Sequence, residues 1–215
     1  MEPKSGKRNK MTRWAMVIDT RHCIGCKTCV QACSQANDIA EGAWRKVKEF
    51  GEPEYPDRSR HFLTRACMHC EVPLCLNVCP TTATYRRQDG IVAVDPDKCV
   101  GCGACILACP YDARVLYTPQ HDFESGRPVD KRRKGTCTKC HFCLPRIEKG
   151  IEKGLKPGVD PDATPLCVVT CSSGALHFGD LDDPDSEVTA LIENNPSLRL
   201  AERLGTKPAV YYIID

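Results

Sequence analysis

Cysteine is the residue type in this chain with the clearest capacity for chemistry, because seventeen cysteines occur among 215 residues. They fall into four groups with short spacings. The groups are Cys23, Cys26, Cys29 and Cys33; Cys67, Cys70, Cys75 and Cys79; Cys99, Cys102, Cys105 and Cys109; and a split fourth group of Cys137, Cys140, Cys143, Cys167 and Cys171. Thiols in such numbers form disulfides, bind zinc or hold iron–sulfur clusters.

The spacing separates these three chemistries. An odd number of cysteines, short repeated gaps and an N-terminus without an apolar signal-peptide core argue against a disulfide scaffold. A zinc site needs only four ligands, so a third and fourth thiol in one run would be surplus. Cys-x2-Cys-x2-Cys instead supplies three ligands to a cubane, and the cysteine one helical turn later reaches a neighbouring cluster, as in two-cluster bacterial ferredoxins. The sequence therefore predicts iron–sulfur clusters.

Short strands and helices must position these groups. The approach to Cys23, Val17 to His22, matches the approach to Cys99, Ala93 to Lys98, which indicates an internal repeat with a strand before each first ligand. Asp89-Gly90 between two short alternating runs predicts a β-hairpin. Residues 34–66 and 112–136 show little apolar periodicity and are predicted to be surface excursions.

The cysteine-free end of the chain has a different composition. Asp183-Pro184 followed by acidic residues predicts a helix start, and Val188, Leu191 and Ile192 give that helix an apolar face. Gly205 is expected to end a second helix, and residues 209–214 are expected to form a strand. Together these patterns predict an α+β fold.

Composition excludes several functions. The net charge of +2 does not favour nucleic-acid binding, and no apolar run reaches the ~18 residues of a membrane span. The six histidines are dispersed, and no catalytic triad, carboxylate pair or phosphate-binding loop can be identified. His69 and His141, each between two cysteines, are expected to cover or tune a cluster rather than bind iron. The protein is not expected to be an enzyme by itself.

At this point the residues resemble a known family, the four-cluster ferredoxin subunits of molybdopterin oxidoreductases such as polysulfide, dimethyl sulfoxide, tetrathionate and arsenate reductases. The resemblance covers almost the whole chain. It rests on Cys23-Ile-Gly-Cys26-Lys-Thr-Cys29, Cys67-Met-His-Cys70-Glu-Val-Pro-Leu-Cys75-Leu-Asn-Val-Cys79-Pro80, Cys99-Val-Gly-Cys102-Gly-Ala-Cys105, Cys109-Pro-Tyr-Asp-Ala-Arg114 and His177-Phe-Gly-Asp-Leu181.

The resemblance implies four [4Fe–4S] clusters with exchanged ligands. The implied ligands are Cys23, Cys26, Cys29 and Cys171 (set 1); Cys67, Cys70, Cys75 and Cys109 (set 2); Cys99, Cys102, Cys105 and Cys79 (set 3); and Cys140, Cys143, Cys167 and Cys33 (set 4). Lys139-Cys140-x-x-Cys143-x-x-Arg146 matches the family motif and leaves Cys137 as the spare thiol. Spacing alone also allows Cys137 and Cys140 as the ligand pair.

The implied fold is two bacterial-ferredoxin-like units with a C-terminal extension. Residues 13–66 and 137–179 form unit 1, which contains the first and fourth cysteine groups, and residues 67–136 form unit 2. Residues 1–12 are expected to be a flexible tail, and residues 180–215 a docking extension. Folding of this extension back over a cluster is the alternative.

The implied function is electron transfer. The expected partners are a large catalytic subunit with a bis-pterin molybdenum or tungsten centre, and an integral-membrane quinone-reactive subunit or a cytochrome. The complex is expected at the membrane, on the cytoplasmic side, or on the periplasmic side by co-export with a partner that carries a twin-arginine signal. A free-standing soluble electron carrier and a zinc-dependent nucleic-acid binder are the alternatives; the near-neutral charge argues against the second.

Overall fold

The computed structural model describes residues 12–51, 60–118 and 133–214, so the expected N-terminal tail lies outside it except for Thr12. The strands in chain order are β1 Trp14–Asp19, β2 Lys46–Phe50, β3 His61–Arg65, β4 Thr84–Arg86, β5 Val92–Val94, β6 Val115–Leu116, β7 Cys137–Thr138, β8 Leu176–Asp180, β9 Ser197–Leu198 and β10 Val210–Ile213. The helices are α1 Thr28–Asn37, α2 Leu74–Asn77, α3 Ala104–Leu107, α4 Leu144–Glu152, α5 Leu166–Val169 and α6 Glu187–Asn194. Short 3₁₀ turns occupy Pro161–Ala163 and Glu202–Leu204.

A four-stranded mixed sheet joins the two ends of the described chain. Its strand order is β8-β1-β10-β9. Strand β1 pairs antiparallel with β8, from Trp14 opposite Asp180, and parallel with β10, from Met16 opposite Val210. All six residues of β1 are buried because the strand is central and covered on both faces.

The two faces of β1 contact different cores. Trp14, Met16 and Ile18 belong to the main apolar cluster, which also contains several cysteines. Val17 points to the other face and packs with Val188 of α6 and Ile213 of β10. The alternation follows from the two-residue period of a strand.

Three of the helices that carry cysteines are very short. Helices α2, α3 and α5 have four residues each, and α1 packs against α5 while α2 packs against α3. The predicted hairpin is confirmed: β4 and β5 pair antiparallel, from Thr84 opposite Val94, around Asp89-Gly90. The predicted strands before Cys23 and Cys99 are also present, as β1 and β5. Helices and small sheets together give the α+β mixture that was expected.

The predicted surface excursions are wrong for several large residues. Ile39, Trp44 and Arg45 are buried, and β2 and β3 form a hairpin within residues 34–66. Arg114 and Tyr117 are buried within the described part of 112–136. Each of these side chains packs on the cysteine-rich interior as an isolated residue of its segment. They do not recur at helical or strand spacing, so sequence periodicity does not predict their burial.

The C-terminal segment also differs in detail. Helix α6 begins at Glu187 with Ser186 as its N-cap residue, because Asp183 and Pro184 lie in a preceding turn closed by a hydrogen bond from the Ser186 N–H to the Asp183 carbonyl. Gly205, with φ of 66°, ends the short 3₁₀ turn Glu202–Leu204 rather than a full helix. The predicted C-terminal strand is confirmed as β10.

The C-terminal segment folds back on the cysteine-rich body. The Ala209 N–H donates to the Met68 carbonyl at 2.8 Å, and the Val72 N–H donates to the Thr206 carbonyl at 3.1 Å. These contacts agree with the alternative expectation that residues 180–215 fold back on the body. A docking role for this segment stays a prediction. In residues 12–51, 60–118 and 133–214, no helix has both the length and the apolar character needed to cross a membrane.

Candidate metal centres

Three of the four predicted cysteine sets each line one cavity. The three cavities contain the cysteines of set 4, set 2 and set 3 respectively. The cysteines of each set come from two distant segments. Each of these three cavities brings together the thiols that the resemblance assigns to one set, and their role as cluster ligands stays a prediction.

Set 4 lies deepest in the fold. Cys33, a buried residue in the middle of α1, shares its cavity with Cys140, Cys143 and Cys167. Burial raises the pKa of Cys140 and of Cys167 to about 11, and raises the pKa of Cys33 as well. A metal that binds these thiols must displace their protons, and the Phe142 N–H, 3.4 Å from the Cys140 sulfur, stabilises the resulting thiolate.

Set 2 lies beneath the C-terminal segment. Cys67, Cys70, Cys75 and Cys109 surround the cavity together with Tyr111, Arg114 and Thr206. Burial raises the pKa of Cys70 to about 12. Arg114 Nη2 donates to the Cys75 sulfur at 3.0 Å, so a fixed cation lies directly beside this set.

The cavity of set 3 contains a fifth thiol. Cys79, Cys99, Cys102 and Cys105 line the cavity, and Cys137 lines it as well. Backbone N–H groups approach two of the sulfurs at 3.4 Å, from Thr84 to Cys79 and from Cys137 to Cys99.

Cys137 is a close neighbour of Cys105 at this cavity. Hydrogen bonding with Cys137 lowers the pKa of the Cys105 thiol, and hydrogen bonding with Cys105, together with burial, raises the pKa of Cys137. Cys137 is 2% exposed and lies with set 3, whereas Cys143 lies with Cys140 in set 4. Spacing alone could not decide whether Cys137 or Cys143 is the ligand that accompanies Cys140. In the structure these two thiols lie at different cavities.

A glycine permits the close turn at set 3. Gly101 has φ of 69°, and a Cβ atom there would lie 2.1 Å from the Gly135 carbonyl oxygen. Only glycine fits a left-handed position with backbone so near. The Cys99-Val-Gly-Cys102 loop can therefore pack directly against the segment that carries Cys137.

Set 1 lies closer to the surface. Cys23 interacts electrostatically with Cys29, Cys171 and Cys26, the other three members of the set. Burial raises the pKa of Cys23, whereas hydrogen bonds from Thr28 lower the pKa of the exposed Cys26. The Thr64 hydroxyl lies 3.8 Å from the sulfur of Cys29.

The sets follow one another in the order 1, 4, 2, 3. Thr64, beside Cys29 of set 1, accepts a hydrogen bond from Arg45 at the set 4 cavity, and Lys139 donates to the carbonyls of Cys140 in set 4 and of Val92 at the set 2 cavity. Arg114 contacts Cys75 of set 2 and Cys137 beside set 3. The exposed cysteines, Cys26 and Cys102, belong to sets 1 and 3, so the row is open at its ends and closed in its middle.

The two histidines in the motifs each accept a hydrogen bond from a backbone N–H group at Nδ1. His69 Nδ1 accepts the Val92 N–H at 3.1 Å, and its ring stacks on Phe142 with centroids 3.8 Å apart. His141 Nδ1 accepts the Leu144 N–H at 3.0 Å. Burial lowers the pKa of His141 to about 4 and the pKa of His69 well below its ordinary value, so both rings are neutral at pH 7.

Sequence reasoning missed three buried cations as functional residues. Arg45, Arg114 and Lys139 are 2%, 2% and 4% exposed and lie among the cysteine sets. Arg114 and Lys139 are part of the cysteine motifs on which the resemblance rests, and this position was the sequence signal that could have identified them. Arg45 lies in a stretch for which a surface excursion was predicted.

The residues present fit [4Fe–4S] clusters. The donors are thiols in sets of four, and backbone N–H groups and fixed cations face several of the sulfurs. Iron–sulfur clusters are held by cysteine thiolates, and such hydrogen bonds and charges tune their potentials. The composition and placement of each donor set suit this group.

Comparison with known proteins supports the same chemistry. A family model described as a 4Fe-4S dicluster domain matches residues 59–181, and a 4Fe-4S binding domain model matches residues 14–35. The chain is 39% identical to a selenate reductase subunit of Mesobacillus selenatarsenatis, over 94% of this chain and 72% of the relative.

Two further relatives are covered over more of their own length. A tetrathionate reductase subunit of Salmonella typhimurium is 36% identical, over 98% of this chain and 76% of the relative. A polysulfide reductase component of Wolinella succinogenes is 37% identical over 94% of both sequences. The matching domains and these relatives together show that this chain is a member of the iron–sulfur subunits of molybdopterin oxidoreductases, and that it is an electron-transfer component rather than a catalytic one.

Proposed function

We propose that the protein holds four [4Fe–4S] clusters, one in each cysteine set, and relays electrons between two partner subunits. One partner is a catalytic subunit with a bis-pterin molybdenum or tungsten centre, and the other is a quinone-reactive membrane subunit or a cytochrome. The observation that carries the proposal is the order of the sets, with two buried sets between two sets that reach the surface.

Sixteen cysteines hold the clusters in this proposal. Their distribution follows the four sets defined above, and Cys137 is not a ligand. Residues 13–66 and 137–179 then form one ferredoxin-like unit with sets 1 and 4, and residues 67–136 form the other with sets 2 and 3. Packing of α1 on α5 and of α2 on α3 supports this division, because each pair brings together segments that exchange ligands.

When bound, each cluster supplies a one-electron redox centre. The protein fixes the surroundings of each centre. Phe142 and Trp44 cover set 4, and Tyr111 covers set 2, so water is kept from the middle of the row. The N–H groups of Phe142 and Thr84 stabilise negative charge on sulfur.

The exposed ends suit contact with partners. Ile24 and Val100 occupy equivalent places in the repeated Cys-x-Gly-Cys loops and are 62% and 68% exposed, each in the loop that carries an exposed cysteine. Apolar side chains at the rim of a redox centre favour a dry contact and a short path for an electron. The complex is proposed to lie at the membrane, as implied for respiratory reductases with a quinone-reactive partner.

Metal analysis tests the proposal. Anaerobically purified protein should hold about sixteen iron and about sixteen acid-labile sulfide per molecule, since each cubane contains about four of each. Purification of the native complex should recover a second polypeptide with molybdenum or tungsten. A colourless protein with stoichiometric zinc, or a protein that purifies alone with fewer than four clusters, would contradict it.

A further inference from the structure

The interval between sets 2 and 3 contains a buried arginine. Arg114 Nη2 donates to the Cys75 sulfur of set 2 at 3.0 Å. Its Nη1 donates to Thr84 Oγ1 at 3.2 Å and lies 3.5 Å from the Cys137 sulfur. Both Thr84 and Cys137 line the set 3 cavity, so one guanidinium touches the surroundings of both sets.

The interval between sets 1 and 4 contains a second buried arginine. Arg45 lines the set 4 cavity, and its Nη1 donates to Thr64 Oγ1 at 3.3 Å. The Thr64 hydroxyl in turn lies 3.8 Å from the Cys29 sulfur of set 1. Electrostatic interactions link Arg45 to Cys167, Cys140 and Cys33 of set 4 and to Cys29 of set 1.

A buried lysine occupies the interval between sets 4 and 2. Lys139 Nζ donates to the carbonyl oxygens of Val92 and of Cys140, the second at 2.9 Å. Val92 lines the set 2 cavity, and Cys140 belongs to set 4. Lys139 also interacts electrostatically with Cys75 of set 2.

None of these three cations pairs with a carboxylate among the described residues. Their partners are hydroxyl groups, backbone carbonyls and sulfur atoms, and the Arg45 Nε has no hydrogen-bond partner within the described part of the protein. A buried charge without a counter-charge destabilises a fold. Thiolate-bound clusters carry net negative charge on both sides of each interval and are the counter-charge that these cations lack.

We propose that Arg45, Lys139 and Arg114 are positioning residues for electron transfer, one in each interval between neighbouring clusters, and that each raises the reduction potentials of the two clusters beside it. The inference rests on the four clusters proposed above. Reduction adds one negative charge to a cluster, and a fixed cation beside it stabilises that state more than the oxidised one. Every step along the row then passes a fixed positive charge shared by donor and acceptor.

The pattern of shifts distinguishes this proposal from a general effect on folding. Midpoint potentials are measured by redox titration with electron paramagnetic resonance on the purified holo-complex. Each cluster takes the number of its cysteine set. Arg45→Gln should lower the potentials of clusters 1 and 4, and Lys139→Gln should lower those of clusters 4 and 2. Arg114→Gln should lower those of clusters 2 and 3. Each change should be at least tenfold in electron affinity, which is ~59 mV for a one-electron couple. Clusters 4 and 2 should each respond to two variants, and clusters 1 and 3 to one.

Charge-conserving and remote variants supply the controls. Arg45→Lys, Arg114→Lys and Lys139→Arg keep the charge and should change electron affinity less than threefold. Arg203→Gln removes an exposed arginine in the 3₁₀ turn Glu202–Leu204 and should change no potential. Iron and sulfide are counted in every variant.

Three outcomes would overturn the inference. Glutamine variants that keep their iron and show unchanged potentials would do so, as would shifts spread evenly over all four clusters. If a glutamine variant loses iron, the variant that keeps the charge at the same position is used instead. Wild-type potentials in that variant, with all clusters intact, support the role of the charge. Lowered potentials with all clusters intact refute it. A wild-type protein with fewer than about sixteen iron contradicts the proposed function instead, independently of these comparisons.

Discussion

Replacement of Cys143 and of Cys137 by serine separates a ligand from a buried neighbour. Cys143 shares the set 4 cavity with Cys140, Cys167 and Cys33, so Cys143→Ser removes one of four thiols from that set. The cluster there should lose one iron or be lost entirely. The iron content should fall from about sixteen to about fifteen or about twelve per molecule.

Cys137→Ser should leave the iron content unchanged. Cys137 lies at the set 3 cavity, where four other cysteines are present. Serine retains a donor hydroxyl in this 2% exposed position, so the expected cost is that of one buried sulfur, on the order of 1 kcal/mol of stability. Both variants replace a sulfur atom by oxygen within one segment of the chain, but at different cavities, so each is a control for the other.

The assay combines iron and sulfide analysis with low-temperature electron paramagnetic resonance of reduced protein. Electron delivery through the complex should fall in Cys143→Ser, while the catalytic subunit keeps its activity with small artificial donors that bypass the row. If Cys137→Ser is the variant that loses a cluster, the ligand assignment in the fourth group is displaced by three residues and the reasoning from the cavities is wrong.

Two further predictions concern folding. Protein stripped of iron should unfold without a cooperative thermal transition, because metal binding supplies folding free energy where cysteines occupy the core, and a sharp calorimetric transition in iron-free protein would contradict this. Gly158→Ala should destabilise the holo-protein by about 2 kcal/mol or more, since Gly158 has φ of 89° and a Cβ there would lie 2.1 Å from the Phe178 carbonyl oxygen. Gly154→Ala, at φ of 75° with no atom within 4 Å of the new Cβ, should cost only about 1 kcal/mol, and equal melting temperatures for the two variants would refute the steric argument.

Local signals predicted much of the fold around the cysteines. The β4-β5 hairpin followed from Asp89-Gly90, and β1 and β10 followed from short β-branched runs, because turn chemistry and strand period act over a few residues. The spatial partners of the cysteines could not be derived in that way. The association of Cys33 with Cys167 depends on contacts between segments far apart in the sequence, and only the resemblance implied it.

The contributions of Trp44, Arg45 and Tyr117 could not be predicted from periodicity. Each is buried against the cysteine-rich interior from a segment without a regular apolar face. In an ordinary core, repeated side chains cover one another and produce a pattern. Here a single large side chain covers a cavity, so the sequence shows isolated residues in polar surroundings.

The position of β1 in the sheet determines when the protein can complete its fold during synthesis. Both neighbours of this strand come from the other end of the sequence: β8 starts at Leu176 and β10 ends at Ile213. A ribosome that has just passed Val94 has produced β1 without either neighbour, but it has produced both strands of the β4-β5 hairpin. Translation is vectorial at about 5–20 residues per second, so β1 waits about 10–40 seconds before both of its neighbours have been made. Its residues, Trp14–Asp19, then require protection from premature pairing, and the last strand to emerge closes the sheet.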